Sequence, residues 1–181
     1  MITFLKVFVI AVALVAVTTA VFVWFGFYNV SARVPHWEIT SELIEVLRDR
    51  SIIVHSRDIG APDLGDPALP AKGAGLYQET CIHCHGAPGA QPGSFSQGLC
   101  PVPADLLSGS LQTEWNNAQM YWIVDNGIKL TGMPAFGSIY EKQEIAAVIA
   151  FLKKLPKMSP EQYRQMSQAG RTVKSESERE E

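Results

Sequence analysis

The 181-residue chain has little charge of either sign. Charged residues make up 18% of the sequence, and the formal net charge is −3. Nucleic-acid binding depends on a surplus of Lys and Arg, so this balance excludes a charge-driven nucleic-acid binder. The stretch from Gly73 to Ile128 contains no Lys or Arg at all. The three cysteines are too few for a disulfide framework, because at least one of them must remain unpaired.

The sequence also lacks an alternating strand pattern and internal repeats, so we predict an all-α fold. Helices are expected at residues 40–54, 73–80, 116–126 and 138–155. Asn116 with Gln119 and Ser138 with Glu141 have the spacing of capping boxes, which mark helix starts. A further short helical turn is expected after residue 158, followed by a polar tail that is predicted to be disordered up to residue 181.

The apolar residues are concentrated at the amino terminus. Residues 7–30 carry no charge, and Lys6 is the only charged side chain before them. At about 1.5 Å per residue this run makes a helix of roughly 36 Å, which exceeds the roughly 30 Å of a bilayer hydrocarbon core. Its far end is rich in aromatic residues, as at a membrane interface: Trp24, Phe25, Phe27 and Tyr28. We therefore predict a single transmembrane anchor in residues 1–32.

A cleaved signal peptide is the alternative interpretation of this segment. The apolar region of such a peptide is usually about 7–15 residues long, which is shorter than the run seen here. Val30-Ser31-Ala32 nevertheless resembles a small-residue cleavage site. Lys6 before the span favours a cytoplasmic amino terminus, which places residues 33–181 on the outer side. Residues 33–72 are expected to form one helix and a Pro- and Gly-rich linker.

Two of the three cysteines fall in one short motif, Cys81-Ile82-His83-Cys84-His85. This is the C-x-x-C-H spacing of c-type haem attachment. Thiols three positions apart lie about one helical turn apart, so each can form a thioether with one haem vinyl group. The next residue then presents its imidazole to the iron. We predict one covalent haem c, tethered by Cys81 and Cys84, with His85 as an iron ligand.

Two other uses of paired cysteines agree less well with the chain. A thioredoxin-type C-x-x-C site needs a βαβ setting, and no strand pattern is present. A structural zinc site needs ligands from separate segments, whereas the Cys and His side chains of this motif are contiguous. The sequence contains no second cluster of such residues that could complete a zinc site.

A haem iron needs a sixth ligand or an open position. Met133 is the candidate ligand, because Gly132 and Pro134 give it an irregular backbone in a loop between two predicted helices. Such a loop can bring the thioether over the iron. The other methionines after the motif are expected to pack within a helix or to lie outside the domain: Met120, Met158 and Met166.

Together, the motifs of residues 73–155 resemble a class I single-haem cytochrome c. The haem motif and the methionine loop are the most specific parts of this resemblance. The other parts follow in the family's order: Gly73 and Tyr77, the Pro-rich loop from Pro101 to Leu106, Asn126-Gly127, and the helical segment 149–154. The resemblance implies a cytochrome c fold around one covalent haem in residues 73–157.

The resemblance also implies specific contacts. The first and last helices of the family cross at a glycine and an aromatic residue, which here are Gly73 and Tyr77 against Phe151. A carbonyl group of the Pro-rich loop orients the proximal imidazole, and Pro103 and Ala104 are both candidates. Haem is attached to such bacterial proteins on the outer side of the inner membrane. This implies a single-pass protein of the bacterial inner membrane with its haem domain in the periplasm.

The function implied by the resemblance is electron transfer and not enzymatic catalysis. The expected role is a membrane-tethered carrier that passes single electrons between respiratory redox partner proteins, as a shuttle or within a redox complex. Its partners are proteins of the membrane or periplasm and the lipid bilayer, with no nucleic acid and no small-molecule substrate. The alternative is a haem enzyme or gas sensor with an open sixth position, for which the sequence offers no evident distal acid or base.

Two features depart from the soluble members of that family. Cys100 is an odd thiol, and we expect it to be buried and unpaired. Soluble mitochondrial-type cytochromes surround the haem edge with lysines, whereas here Lys129 stands alone near the methionine loop. We therefore expect docking through apolar contact or a preassembled complex, with the helix at residues 40–54 as a candidate docking element.

Overall fold

The computed structural model describes residues 1–180 and the side chains through residue 172. Two compact units separate in this part of the chain, Met1–Pro35 and the residues from His36 onward. The described residues form helices and turns and contain no β-strand. This agrees with the predicted all-α fold.

The first unit consists mainly of helix α1, Ile2–Trp24. None of its side chains is buried, and its mean hydropathy is 2.7. It is the one helix within residues 1–180 that is long and apolar enough to cross a membrane. A helix that is apolar on all sides is normally buried in lipid or protein. Helix α1 is therefore a candidate membrane anchor.

The second unit is built from further helices joined by turns. Its helices are α2 (Glu38–His55), α3 (Leu69–Leu76), α4 (Ile82–His85), α5 (Ser110–Glu114), α6 (Asn117–Asn126), α7 (Lys142–Leu152) and α8 (Pro160–Glu180). One π-helical turn, Tyr77–Cys81, joins α3 to α4. Single 3-10 turns lie at Ser94–Gly98, Phe136–Ser138 and Leu155–Lys157. The core lies where α3, α7 and α8 meet.

Helix α3 lies between α7 and α8, and glycines make both crossings possible. A Cβ atom added to Gly73 would overlap the carbonyl group of Ala147 on α7. A Cβ atom added to Gly75 would lie 2.8 Å from the backbone of Gly170 on α8. Each crossing therefore brings two backbones into direct contact, which any larger side chain would prevent.

Three aromatic rings fill the centre of this core. Tyr77 packs against Phe151 of α7 with ring centroids 5.1 Å apart. Tyr163 of α8 contacts the same two rings, at 6.4 Å and 6.1 Å between centroids. Each ring buries a large apolar area, and tilted or edge-on pairs of this kind add to the stabilisation. The predicted contact of Gly73 and Tyr77 with the helix that carries Phe151 is confirmed.

Helix α6 begins and ends as predicted. The Asn116 side chain accepts the backbone N–H of Gln119 at 3.0 Å, and the Gln119 side chain accepts the N–H of Asn116 at 2.9 Å. This reciprocal pair satisfies two amide donors that the first helical turn leaves without partners. Gly127, with φ of +64°, ends the helix in a conformation that favours glycine.

Helix α7 begins later and ends earlier than predicted. Its capping box is formed by Glu141 and Glu144, so the predicted box of Ser138 with Glu141 is wrong. Ser138 lies instead in the preceding 3-10 turn, where its hydroxyl donates to a backbone carbonyl. Burial of Phe136 in that turn delays the helix start. The helix ends at Leu152, before the predicted end at residue 155.

The largest difference from the sequence prediction lies at the C-terminal end. Helix α8 extends over Pro160–Glu180, where a short turn and a disordered tail were predicted. Three of its residues at helical spacing are buried: Tyr163, Ser167 and Gly170. Met158 and Met166 were expected outside the domain, but both pack against the core. The buried face of α8 has few large apolar side chains. The polar composition of this segment therefore gave no sign of a packed helix.

Helix α2 packs on the domain through its C-terminal half. Ile52 and Ser56 are buried, with 2% and 4% of their surfaces exposed. His55 stacks on Trp122 of α6 with ring centroids 6.0 Å apart. The N-terminal half of α2 contains no buried residue.

Replacing Gly170 by Val tests whether α8 is part of the cooperative core. A Cβ atom at this position would overlap the Ala71 carbonyl on α3, so the free energy of unfolding should fall by about 1–3 kcal/mol, the usual range for overpacking. Urea denaturation of the full chain in detergent, followed by circular dichroism, measures the change. Ala169→Val is the control, because it adds the same β-branched side chain at the exposed neighbouring position. Equal losses in both variants would contradict the crossing.

Candidate haem site

The two thiols of the motif lie on consecutive helical segments. The π-helical turn Tyr77–Cys81 ends at the first thiol, and α4 carries Cys84 and His85. Cys81 and Cys84 are both half-buried and unpaired. Burial raises the pKa of the Cys81 thiol to about 11, although a hydrogen bond with Thr80 lowers it in part. The thiol is therefore protonated at neutral pH.

The His85 imidazole is held by a backbone carbonyl. Its Nδ1 atom lies 2.8 Å from the carbonyl oxygen of Ala104. Because a carbonyl can only accept, Nδ1 carries the proton, which leaves Nε2 available for a metal ion. Burial lowers the pKa of His85, with the hydrogen bond to Ala104 acting in the opposite direction, so the neutral ring is favoured. Of the two predicted carbonyls, Pro103 and Ala104, the structure brings Ala104 to the ring.

A buried hydrogen bond connects the end of the haem motif to the core. The Tyr77 hydroxyl donates to the carbonyl of Gly86 at 2.7 Å. Burial raises the pKa of Tyr77 far above its usual value, so the hydroxyl remains a donor. Gly86 has φ of +68°, and an added Cβ atom would lie 2.8 Å from the Ala90 carbonyl oxygen. The chain can reverse directly after His85 only because a glycine stands here.

The loop that carries Met133 is held by its own backbone and side chains. The N–H of Ile128 donates to the Met133 carbonyl at 3.2 Å. The Met133 N–H donates to the hydroxyl of Thr131 at 3.1 Å. A Cβ atom on Gly127 would lie 2.7 Å from the Met133 carbonyl oxygen, so the helix end and the loop are in direct contact. Both backbone groups of Met133 therefore have defined partners.

One loop contacts both the imidazole and the methionine loop. A Cβ atom on Gly132 would lie 2.7 Å from the Leu99 side chain, which shows that the methionine loop packs on Leu99. Further along the same loop, Ala104 accepts the His85 N–H. A single segment, residues 99–104, therefore helps to position both candidate iron ligands.

The residues present fit a covalently attached haem. They supply two thiols about one turn apart, an imidazole oriented through Nδ1, and a thioether on a constrained loop. Half-buried apolar side chains accompany these donors at the edge of the core: Ile82, Leu107 and Tyr140. Their incomplete burial leaves apolar surface for a large flat ligand. Cys81, Cys84 and His85 would hold the haem, and Met133 is the candidate for a further iron ligand.

The other residues considered in the sequence have simpler roles. Met120 is 3% exposed and belongs to the core, as predicted. Cys100 is unpaired and only half-buried, so its predicted burial is partial. Lys129 is exposed. His83 is exposed too, and its backbone carbonyl accepts the N–H of Gly93 at 2.9 Å.

A chain of polar contacts behind Cys81 was not predicted. The Thr80 hydroxyl donates to the Leu76 carbonyl at 2.9 Å and lies 3.4 Å from the Cys81 sulfur. The Tyr140 hydroxyl donates to Thr80 at 3.4 Å. Tyr140 lies 60 positions away in the sequence, so no local pattern indicates this contact.

A second unpredicted contact comes from α8. The Tyr163 hydroxyl donates to the Gln78 side chain at 2.8 Å, directly behind the haem motif. Burial raises the pKa of Tyr163 to about 12, so the hydroxyl is a donor at neutral pH. The spacing of Tyr163, Ser167 and Gly170 is the one sequence signal that could have revealed this helix face.

Replacing Tyr77 by Phe tests the hydrogen bond by which the Tyr77 hydroxyl holds Gly86, directly after the haem motif. The buried Gly86 carbonyl would lose its donor, so the free energy of unfolding should fall by about 1–3 kcal/mol without loss of the aromatic packing. Urea denaturation of the full chain measures the change. The control is Tyr121→Phe, because the Tyr121 hydroxyl makes no hydrogen bond within the described residues. A Tyr77→Phe protein no less stable than this control would contradict the proposed anchor.

Comparison with known proteins agrees with this geometry. Residues 68–152 match the family described as cytochrome c oxidase, cbb3-type, subunit III. No curated protein and no solved structure gives a match. The matched segment includes the α3–α7 crossing, the haem motif and the methionine loop. Residues 68–152 are therefore a class I c-type cytochrome domain, which is a domain of haem electron carriers.

Proposed function

We propose that this protein is a membrane-tethered cytochrome that passes single electrons between respiratory redox proteins and has no enzymatic activity of its own. The observation that carries the proposal is the hydrogen bond from His85 to Ala104. It presents a neutral, oriented imidazole directly beside two unpaired thiols. This is the arrangement that a covalent haem with a permanent proximal ligand requires.

The main role of the protein would be to keep the side chains that bind the iron in fixed positions. A haem c bound by Cys81, Cys84 and His85 would supply a one-electron iron couple. Ala104 keeps the imidazole in one orientation, and the hydrogen bonds of Met133 hold its loop in one shape. Ligands that do not move on electron exchange keep the reorganisation small. Coordination by the Met133 thioether in addition to the His85 imidazole would raise the reduction potential.

We assign α1 as the membrane anchor and the periplasm as the site of the haem domain. The length, apolar surface and exposure of α1 support an anchor. Lys6 before the span supports an amino terminus in the cytoplasm. Covalent haem attachment on the outer side of the membrane supports the same orientation. A tethered carrier has a raised effective concentration toward membrane partners.

The partner we propose is a membrane oxidoreductase complex in which this chain is the cytochrome subunit. The matched family is described as subunit III of a cbb3-type cytochrome c oxidase, which supports this place by analogy. The absence of Lys and Arg from residues 73–128 also supports it. A freely diffusing carrier gains association rate from complementary charge, whereas a permanent subunit does not need such steering.

Replacing Met133 by Ala tests the sixth ligand. The variant should keep its covalent haem but lose the weak red absorption band of Met–Fe(III) ligation. Its reduction potential should fall by on the order of 0.1 V, a fraction of the roughly 0.8 V range that axial ligands determine. It should also bind carbon monoxide, which the unmodified protein should not. Optical redox titration of the full chain in detergent measures all three properties.

Met158→Ala is the matched control, because Met158 is a half-buried methionine of the same domain. It should leave the spectrum and potential unchanged. Rapid carbon monoxide binding by the unmodified protein would favour the alternative, a haem enzyme or gas sensor. An unchanged spectrum in Met133→Ala would show that another residue is the ligand.

A further inference from the structure

An open cavity of about 640 Å³ lies where the C-terminal end of α2 and the segment after it meet α5, the start of α6 and the end of α7. Its volume falls within the roughly 300–1,000 Å³ that is typical of small-molecule sites. The residues proposed to hold the haem are not part of its lining. The cavity is therefore distinct from the candidate haem site, and the proposed electron transfer makes no use of it.

The lining of this cavity contains positive charges and no negative one. Arg57 lies two positions after the last residue of α2, and Lys153 directly follows α7. Both line the cavity, whereas no Asp or Glu does. Within the described part of the chain, neither side chain forms an ion pair. Two cations therefore border one space without a carboxylate to neutralise them, which favours an anion there.

The start of α6 adds hydrogen-bond donors to the same lining. The capping box engages the amide oxygens of Asn116 and Gln119 as acceptors. The amide oxygen of Asn117 accepts from the Lys153 ammonium at 3.2 Å. The free part of each of these side chains is therefore its NH2 group, which can only donate. The backbone N–H groups of Asn117 and Ala118 belong to the first helical turn, where no carbonyl of the helix can accept them.

A buried acceptor in the cavity wall gives a second, independent indication of a missing group. The Gln112 Nε2 atom donates to the Leu152 carbonyl at 2.8 Å, which fixes the orientation of the amide. Its Oε1 atom is buried and has no hydrogen-bond partner within the described residues. Buried polar atoms rarely lack a partner in folded proteins. This wall therefore has a place for a water molecule or a hydroxyl group that comes with an occupant.

We propose that this cavity binds a phosphate monoester with a small apolar body. Such a phosphate carries a charge of about −1.5 to −2 at neutral pH, which balances the two cations. A carboxylate carries only one charge and offers only about four acceptor positions, fewer than the donor groups in this lining. The planar guanidinium of Arg57 suits a phosphate, because it can donate two parallel hydrogen bonds. The inference goes beyond the proposed function and does not rest on it.

The rest of the lining suits the apolar body of such a ligand. Ile53, Trp115 and Met120 border the cavity beside the polar groups. Trp115 and Met120 belong to the core, with 8% and 3% of their surfaces exposed. A bound ligand would contact both the segment after α2 and the ends of α6 and α7. It should therefore raise the melting temperature of the protein, since a ligand that binds only the folded state stabilises it.

Isothermal titration calorimetry of the full-length protein in detergent, with phenyl phosphate as the probe, tests the site. We expect one molecule to bind per chain in a saturable manner. Arg57→Gln and Lys153→Gln should each weaken binding by about tenfold, because each removes a charged donor. Lys153→Arg keeps the charge and should bind the probe nearly as well as the unmodified protein.

Arg50→Gln and Lys154→Gln are the matched controls, because they remove the same charge at exposed positions outside the cavity lining. Both controls should bind phenyl phosphate like the unmodified protein. The absence of saturable binding by the unmodified protein would overturn the proposal. Equal weakening in the controls would also overturn it, since it would show a nonspecific effect of net charge.

Nuclear magnetic resonance of the same protein locates the bound probe. The backbone amide resonances of Asn117 and Ala118 should shift as phenyl phosphate is added, because their N–H groups border the site. Shifts confined to other parts of the chain would overturn the proposed location. Phenol, which lacks the phosphate, should bind at least tenfold more weakly, and equal binding of phenol would overturn the assignment of the phosphate as the recognised group.

A phosphate monoester can come from a soluble metabolite or from the head group of phosphatidic acid, and vesicles distinguish the two sources. The full-length protein is reconstituted in phosphatidylcholine with either phosphatidic acid or phosphatidylglycerol, which is negatively charged but carries a phosphate diester. Weaker phenyl phosphate binding with phosphatidic acid alone would identify the lipid as the source. Equal binding in both vesicles would identify a soluble ligand. Both outcomes support a phosphate monoester site, whereas no binding in either vesicle would overturn it.

The haem spectrum and reversible reduction of each sample separate this inference from the proposed function. Variants that lose phenyl phosphate binding but keep both properties show that only the cavity is affected. If the unmodified chain lacked covalent haem, the electron-carrier function would fail. The calorimetric result for the cavity would stand in that case, because it does not depend on electron transfer.

Discussion

The direct backbone contact of α3 with α7 and α8 is the constraint on which the rest of the domain depends. Gly73 and Gly75 allow these contacts because a Cβ atom at either position would meet a neighbouring backbone. The next turn of the same segment buries Tyr77, and the turn after that carries Cys81. The thiols therefore follow directly on a segment whose backbone is in contact with both α7 and α8. A haem attached there would be held by the core and not by a mobile loop.

The second organising feature is the loop at residues 99–104. It contacts the proximal side through Ala104 and the methionine loop through Leu99. One short segment therefore contacts both the proximal imidazole and the loop of the second candidate ligand. The hydrogen bond from the Tyr77 hydroxyl to the Gly86 carbonyl connects the end of the haem motif to the core. Several contacts therefore hold the regions that carry the candidate ligands. This suits an electron carrier, in which the ligands must keep their geometry in both oxidation states.

The sequence predicted correctly those features whose residues lie within a few positions of one another. The capping box of Asn116 and Gln119 lies where expected, because both partners are within one turn. The haem motif was also recognisable, since thiols and imidazole lie within five consecutive positions. The start of α7 was predicted incorrectly at Ser138, which has the same capping spacing as Glu141. Burial of Phe136 decided between the two, and burial is a property of the folded chain.

By itself, the sequence determined the apolar amino-terminal helix, the helical class, the covalent motif and Met133 as a candidate ligand, because each depends on composition or short spacing. Only the tertiary structure decided that Ala104 rather than Pro103 meets His85, since the two carbonyls are adjacent and differ only in where the loop carries them. It also decided that α8 is a packed helix and not a disordered tail. The reason is that Gly170 allows the backbone of α8 to approach the backbone of α3 closely. A glycine has no side chain, so it adds no apolar signal to the sequence.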